Sequence, residues 1–184
     1  REAAPLTDAG LTPYHAIKRA QHLLVPGSTA LVIGVGGLGH MGVQILRALT
    51  PARIVAVDLS PDKLRLAREV GAHETIESND TAADAVRELT GGLGAEVVLD
   101  FVGADATMAL AAASVKMGGD IEVVGLAGGT LPFRFGGIAF DATISIPYWG
   151  TTIELMEVLE LARQGAIRAH VERFPLDRAE EAYA

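Results

Sequence analysis

Residues 34–39 read Gly34-Val35-Gly36-Gly37-Leu38-Gly39, with glycine at the first, third and sixth places. The apolar run Ala30–Ile33 leads into them, and Leu38, Gly42, Ile45, Leu46 and Leu49 follow at helical spacing. A strand that turns through such glycines into a helix can hold a phosphate. The first glycine permits the tight turn. The second lets the backbone approach a pyrophosphate with no Cβ in the way, and the third lets the helix pack close to the sheet. The amides around Gly37 and Leu38 then face the phosphates, with the positive end of the helix dipole behind them.

Alone, a glycine turn is an ordinary loop. Here an acid, Asp58, stands 19 residues after Gly39, at the end of a second expected strand, Ile54–Val57. Its carboxylate can accept hydrogen bonds from ribose hydroxyls, whereas a ribose 2′-phosphate would meet a like charge. No arginine follows Asp58 immediately. Together these features read as a dinucleotide site that prefers NAD to NADP. Lys63, one turn into the next helix, either reaches the 3′ side of the ribose or is a solvated surface lysine. His40, in the first helical turn, either bonds a ligand or packs. A methyltransferase also combines a glycine turn with an acid after the second strand. It binds no pyrophosphate, however, and has no use for the third glycine.

The rest of the chain alternates strand and helix. Ser60-Pro61-Asp62 supplies a cap, a proline and an acid for a helix running to about Val70. Strands follow at His73–Ile76, Val97–Leu99, Ile121–Val124 and Thr143–Ile146, where Pro147 marks a strand end or a sheet edge. Helices are expected at Ala82–Leu89, from about Ala104 to Val115, and at Thr151–Gln164, closed by Gly165. Ahead of all this, Thr12 and Pro13 look like the cap and first residue of a helix through Ala20. Such alternation predicts an α/β doubly wound parallel sheet, the Rossmann fold, in three layers.

Composition narrows the function. The 184 residues are 49% hydrophobic and 21% charged, with a formal net charge of −8. Nucleic acid and anionic membrane surfaces are therefore poor partners, since both need a basic footprint. Apolar stretches break well short of the ~20 residues needed to span a bilayer. There are no cysteines, which excludes disulfides, thiolate metal sites and cysteine nucleophiles from this segment. No signal peptide is visible, and a cytoplasmic setting is expected. Arg1 opens the chain without methionine and Ala184 closes it inside an expected helix, as in a piece of a longer enzyme.

Several stretches together resemble the medium-chain zinc-dependent alcohol dehydrogenases. They are AAPLTDAGLTPYHAIKRA, ALVIGVGGLGHMGVQILRAL, VAVDLSPDKLRLAREVGA, VVLDFVGADATMALAAASVKMGGDIEVVGLAGG and ELMEVLELARQGAIRAHVERFPLDRAEEAYA. The resemblance implies a coenzyme domain at residues 27–165. A connecting segment and helix (1–26) precede it, and a strand and truncated helix (166–184) return toward a separate catalytic domain. It implies that the parent enzyme transfers hydride between a primary or secondary alcohol and NAD, with zinc polarising the oxygen. This chain alone would then bind NAD(H) without turnover.

Carried over by position, Asp58 and Lys63 match the ribose-holding pair, and Phe101 and Val102 flank the cofactor. Val124, Gly125 and Leu126 match backbone that faces the nicotinamide, and Thr12 a threonine beside its ring. Tyr148 and Trp149 fall where the family places carboxamide contacts and the substrate wall. From local sequence Asp8 reads first as a turn cap beside Gly10; the resemblance instead matches it to a zinc ligand that is cysteine in many relatives and aspartate in some. His73 and His170 are expected at the surface. The resemblance also implies a homodimer or tetramer paired through the edge strand at Thr143–Ile146. Two rivals remain: a zinc-free reductase of the quinone oxidoreductase kind, which usually favours NADPH, and a module serving mainly for dimerisation.

Overall fold

The strand that carries the glycine turn lies in the middle of the sheet. In a computed structural model, which describes residues 3–183, β1 (Thr29–Ile33) is buried at every residue, as a strand covered on both faces must be. It pairs in parallel with β2 (Arg53–Asp58) on one side and β4 (Ala95–Asp100) on the other. β3 (Glu74–Glu77) lies beyond β2, and β5 (Val115–Val123) and β6 (Thr143–Ser145) lie beyond β4. The order β3-β2-β1-β4-β5-β6 is that of the doubly wound fold. Strand order reverses between β1 and β4, and a crevice opens at their carboxyl ends, where such sheets bind ligands.

Two apolar cores hold the layers. One face packs Ala30, Val32, Ile54 and Leu99 against α1 (Leu11–Ala20), α2 (Gly37–Leu49), α3 (Pro61–Glu69) and α6 (Thr152–Arg163). The other packs Leu31, Ile33, Val57 and Val98 against α4 (Ala82–Leu89) and α5 (Asp105–Ser114). Adjacent residues of one strand thus serve opposite cores, as the alternation of strand side chains requires. The first helix shares the larger core through Tyr14 and Ile17, so residues 3–26 pack as part of the domain. Two polar ties reinforce that contact: Tyr14 donates to Glu157 at 2.6 Å, and His15 Nδ1 lies 2.9 Å from Glu154. Glu154 also closes a capping box with Thr151, and Gly165 ends α6 at φ 74°.

Three expectations need correcting. Leu11 begins α1 and Gly10 caps it; Thr12 already sits in the first turn, its hydroxyl bonded back to Asp8 at 3.1 Å. The fifth strand starts earlier than Ile121, because Val115 both caps α5, its amide donating to the Ala111 carbonyl, and turns into the sheet. That residue opens β5 opposite Ala95, and the ladder then skips to Asp120 opposite Val97. Among the described residues, 166–175 form no strand, and Leu176–Tyr183 is a 3-10 helix. The reason is the partner. This strap lies along α2, where the Gln44 side chain bonds the backbone of Arg168 and His40 bonds that of His170. A strand needs a backbone ladder, and side chains supply only isolated rungs. Arg1, Glu2 and Ala184 lie outside the described residues.

Candidate dinucleotide-binding cleft

Of the 21 glycines in the chain, all but two have a reason inside the fold. Each either adopts a positive φ or would bring a Cβ within 3.0 Å of another atom. Gly34 does both, with φ 85° and a Cβ position 2.5 Å from Val102 Cγ2. A Cβ on Gly39 would lie 1.8 Å from the Gly34 carbonyl oxygen, so this glycine lets α2 start tight against the turn. The exceptions are Gly36 and Gly37, where a Cβ would meet nothing within 4 Å. Both line a cleft of about 310 Å³. Neither folding nor packing requires glycine there; a backbone-hugging ligand would.

Leu38 and the glycine turn make one wall of that cleft, Phe101 and Val102 another, and Asp58 and Lys63 complete it. Asp58 is 9% exposed. One carboxylate oxygen accepts from the Val35 amide at 2.7 Å and the other from the Ser60 amide at 2.9 Å. Its orientation is therefore fixed before any ligand arrives, and each oxygen keeps a second lone pair for a hydroxyl. The first of these bonds also ties the glycine turn to the end of β2.

Below the opposite wall lies Asp100, fully buried. Its Oδ1 accepts from Val102 and Gly103 at 2.9 and 3.0 Å, and its carbonyl oxygen accepts from Val124 and Gly125 at 2.8 and 3.0 Å. These bonds draw the β5 exit against the β4 exit, where a Cβ on Gly125 would stand 2.0 Å from the Val102 carbonyl carbon. Val124 and Gly125 thus adjoin the Val102 wall, although the cleft lining itself does not include them. Leu126 projects outward, 89% exposed.

The remaining predicted positions lie outside the lining. Thr12 is buried against Asp8, whereas Tyr148 and Trp149 are 76% and 52% exposed. Trp149 has φ 51°, a conformation that bulky residues avoid. Asp8 is exposed, and one of its oxygens accepts from Thr12. Among the described residues, no group of three or more histidine, cysteine, aspartate or glutamate side chains could hold a metal ion. The described donors therefore do not fit zinc by themselves. No helix among them is long and apolar enough to cross a membrane.

Sequence reasoning missed two participants, Asp100 and Gln44. Asp100 was legible in principle as the acid of an Asp-Phe-Val-Gly turn. Gln44 interrupts the apolar face of α2 one turn after His40. His40 is 5% exposed and spends both ring nitrogens on the protein, on Gly36 and on His170. It has none left for a ligand. His73, exposed as expected, accepts from the Ile54 amide at 2.9 Å.

Comparison with known proteins agrees with this architecture. Residues 37–164 match the family model described as zinc-binding dehydrogenase. An NAD-dependent alcohol dehydrogenase of Sulfurisphaera tokodaii is 32% identical over 98% of this chain and 53% of its own length. A D-arabinose 1-dehydrogenase (NADP(+)) of Saccharolobus solfataricus is also 32% identical, over 99% and 53%. The crystal structure of the Aeropyrum pernix alcohol dehydrogenase superposes with a TM-score of 0.92 at 37% identity, covering 98% of this chain and 53% of that one. The chain spans about half the length of the curated relatives it matches. A doubly wound sheet with this glycine turn and a family match over more than two-thirds of the residues lead to one conclusion: the chain belongs to the zinc-binding dehydrogenases.

Proposed function

We propose that this chain is the NAD(H)-binding half of an alcohol dehydrogenase, and that it binds the cofactor by its pyrophosphate and adenosine ribose. The carrying observation is the pair of glycines, Gly36 and Gly37, that face open cleft beside a pre-oriented Asp58. The pyrophosphate lies against the Gly37 and Leu38 amides. Asp58 accepts from the ribose hydroxyls, with Lys63 beside it and Phe101 and Val102 as the facing wall. When bound, the cofactor supplies or accepts a hydride. The chain's contribution is orientation, with Thr12 and the backbone of Val124, Gly125, Leu126 and Trp149 on the nicotinamide side and Tyr148 and Trp149 toward an alcohol substrate. Asp8 offers at most one ligand to a zinc site completed by the rest of the enzyme.

Relatives of equal identity use NAD or NADP, so the cofactor choice rests on Asp58. Its two oxygens are pinned by Val35 and Ser60 and cannot swing away from a 2′-phosphate. Fluorescence titration of the purified chain is the test. NADH should bind at least tenfold tighter than NADPH, and tighter NADPH binding would favour the quinone-reductase reading. The chain should oxidise no alcohol.

A second reading concerns assembly. β6 is hydrogen-bonded on one side only, to β5, and Phe133, Phe135, Phe140 and Ile146 are exposed around it. A free edge amid apolar side chains favours pairing with a second copy. Sedimentation should show dimers or tetramers; monomer alone at working concentration would refute this.

A further inference from the structure

We propose that His40 is a positioning residue: it sets the phosphate-facing peptide of the glycine turn and couples that peptide to the C-terminal strap. The proposal rests on the dinucleotide reading of the cleft. The Gly36 carbonyl accepts the His40 amide at 3.1 Å and the His40 Nδ1–H at 3.0 Å. At the far side of the ring, Nε2 accepts the His170 amide at 3.1 Å. A carbonyl only accepts and an amide N–H only donates, so the two contacts fix the imidazole as its neutral Nδ1–H tautomer.

The consequence lies one bond away. A trans peptide is planar, so the Gly37 N–H points opposite to the Gly36 carbonyl. The ring that holds that carbonyl inward therefore aims the Gly37 amide outward into the cleft. Gly36 lacks a Cβ and sits at the open mouth, so its peptide plane is the least constrained part of the turn. A second donor on the same oxygen removes that freedom.

The other end of the tie is equally specific. Gln44 stands one turn after His40 on the same face of α2. Its Oε1 accepts from the Arg168 amide at 2.8 Å, and its Nε2 donates to the Arg168 carbonyl at 3.0 Å. Two α2 side chains thus hold alternate residues of the strap, and only His40 also touches the glycine turn. Coupling between two sites is reciprocal. Cofactor on the turn steadies the strap, and a loosened strap softens the turn.

Three variants separate the two ends. His40→Asn keeps an amide donor near the Nδ1 position but cannot reach His170. His40→Gln places an acceptor near the Nε2 position without the Gly36 donor, and His40→Phe loses both. NADH affinity and amide hydrogen exchange at His170 are read on the intact 184-residue chain. His40→Phe should weaken NADH binding about fivefold, the scale of one net hydrogen bond, and speed His170 exchange about tenfold. His40→Asn should restore most of the affinity and not the protection; His40→Gln should do the reverse. In the unmodified chain, saturating NADH should slow His170 exchange about threefold or more. The proposal is overturned if NADH binds the unmodified chain yet leaves His170 exchange unchanged, or if His40→Phe binds NADH equally well. Absence of NADH binding by the unmodified chain would instead sink the cofactor reading on which the coupling rests.

Discussion

The two sides of the cleft are built to different degrees. On the side proposed for the pyrophosphate and ribose, Asp58 is held by two amides, the Gly36 carbonyl by His40, and the Phe101 amide by the Ile33 carbonyl at 2.9 Å. On the side proposed for the nicotinamide, Leu126, Tyr148 and Trp149 are exposed. Asp8 has one hydroxyl neighbour and, among the described residues, no companion donors for a metal. The difference teaches what half of a dehydrogenase can do alone. On the proposed reading, it carries a finished adenosine-diphosphate site and only the frame for chemistry.

Substitution at the turn gives the sharpest test of that contrast. Gly39→Ala should cost about 2–3 kcal/mol of stability, since its methyl must displace α2 from the Gly34 carbonyl. Gly36→Ala should leave the melting temperature almost unchanged while weakening NADH binding more than tenfold. Equal loss of stability in both variants would mean that the open space at Gly36 is not a ligand site. Asp58→Ala comes next. It orphans the Val35 and Ser60 amides as well as the ribose, and should cost about 1–3 kcal/mol with about thirtyfold weaker NADH binding. NADPH should gain little, because the turn itself loses its tie to β2.

Smaller effects are expected on the other side. Burial pushes the Glu154 carboxyl up, but the His15 hydrogen bond and the Thr151 amide and hydroxyl outweigh it, so the group titrates below the usual glutamate range. A lowered folded value means stabilisation that is present above about pH 4.5 and lost as pH falls through the folded value. His15→Ala should therefore flatten the acid limb of a melting-temperature profile and leave NADH affinity unchanged. Trp149→Gly should relieve the left-handed backbone, gaining up to about 1 kcal/mol, with NADH affinity within about twofold.

Glu122 has the opposite sign. It is 2% exposed on β5, hydrogen-bonded by the Ser145 hydroxyl and 3.6 Å from Arg19. Burial raises its carboxyl above the usual range, with Ser145 and Arg19 easing the shift and Asp120 adding to it. Its stabilising contribution is thus full below the unfolded value and fades as pH rises through the folded one. Glu122→Gln should match the unmodified chain near pH 4 and melt slightly higher at neutral pH. A lower melting temperature at neutral pH would show that the Arg19 pair outweighs desolvation.

What could be read from the sequence was what is local. The glycine turn, the strand before it, the helix after it and Asp58 are each encoded within a few residues, and all stand where expected. Ala82–Leu89 was legible to the residue because its apolar spacing and its flanking polar residues agree. Contacts between distant segments were not. The Val35–Asp58 bond exists only once β1 and β2 pair, and His40 meets His170 across 130 residues. The alternation Ile167, Ala169, Val171 does suit a strand, yet strand identity depends on a neighbour, and here the neighbours are side chains. The early start of β5 was hidden for the same reason, since only pairing with Ala95 makes the helix-capping Val115 a strand residue as well.

Titration of the chain by calorimetry with NADH, ADP-ribose and reduced nicotinamide mononucleotide tests the central claim most directly. If the finished half of the cleft does the binding, ADP-ribose should bind within about threefold of NADH, and the mononucleotide should not bind measurably. Mononucleotide binding comparable to NADH, or ADP-ribose binding weaker by tenfold or more, would contradict the account.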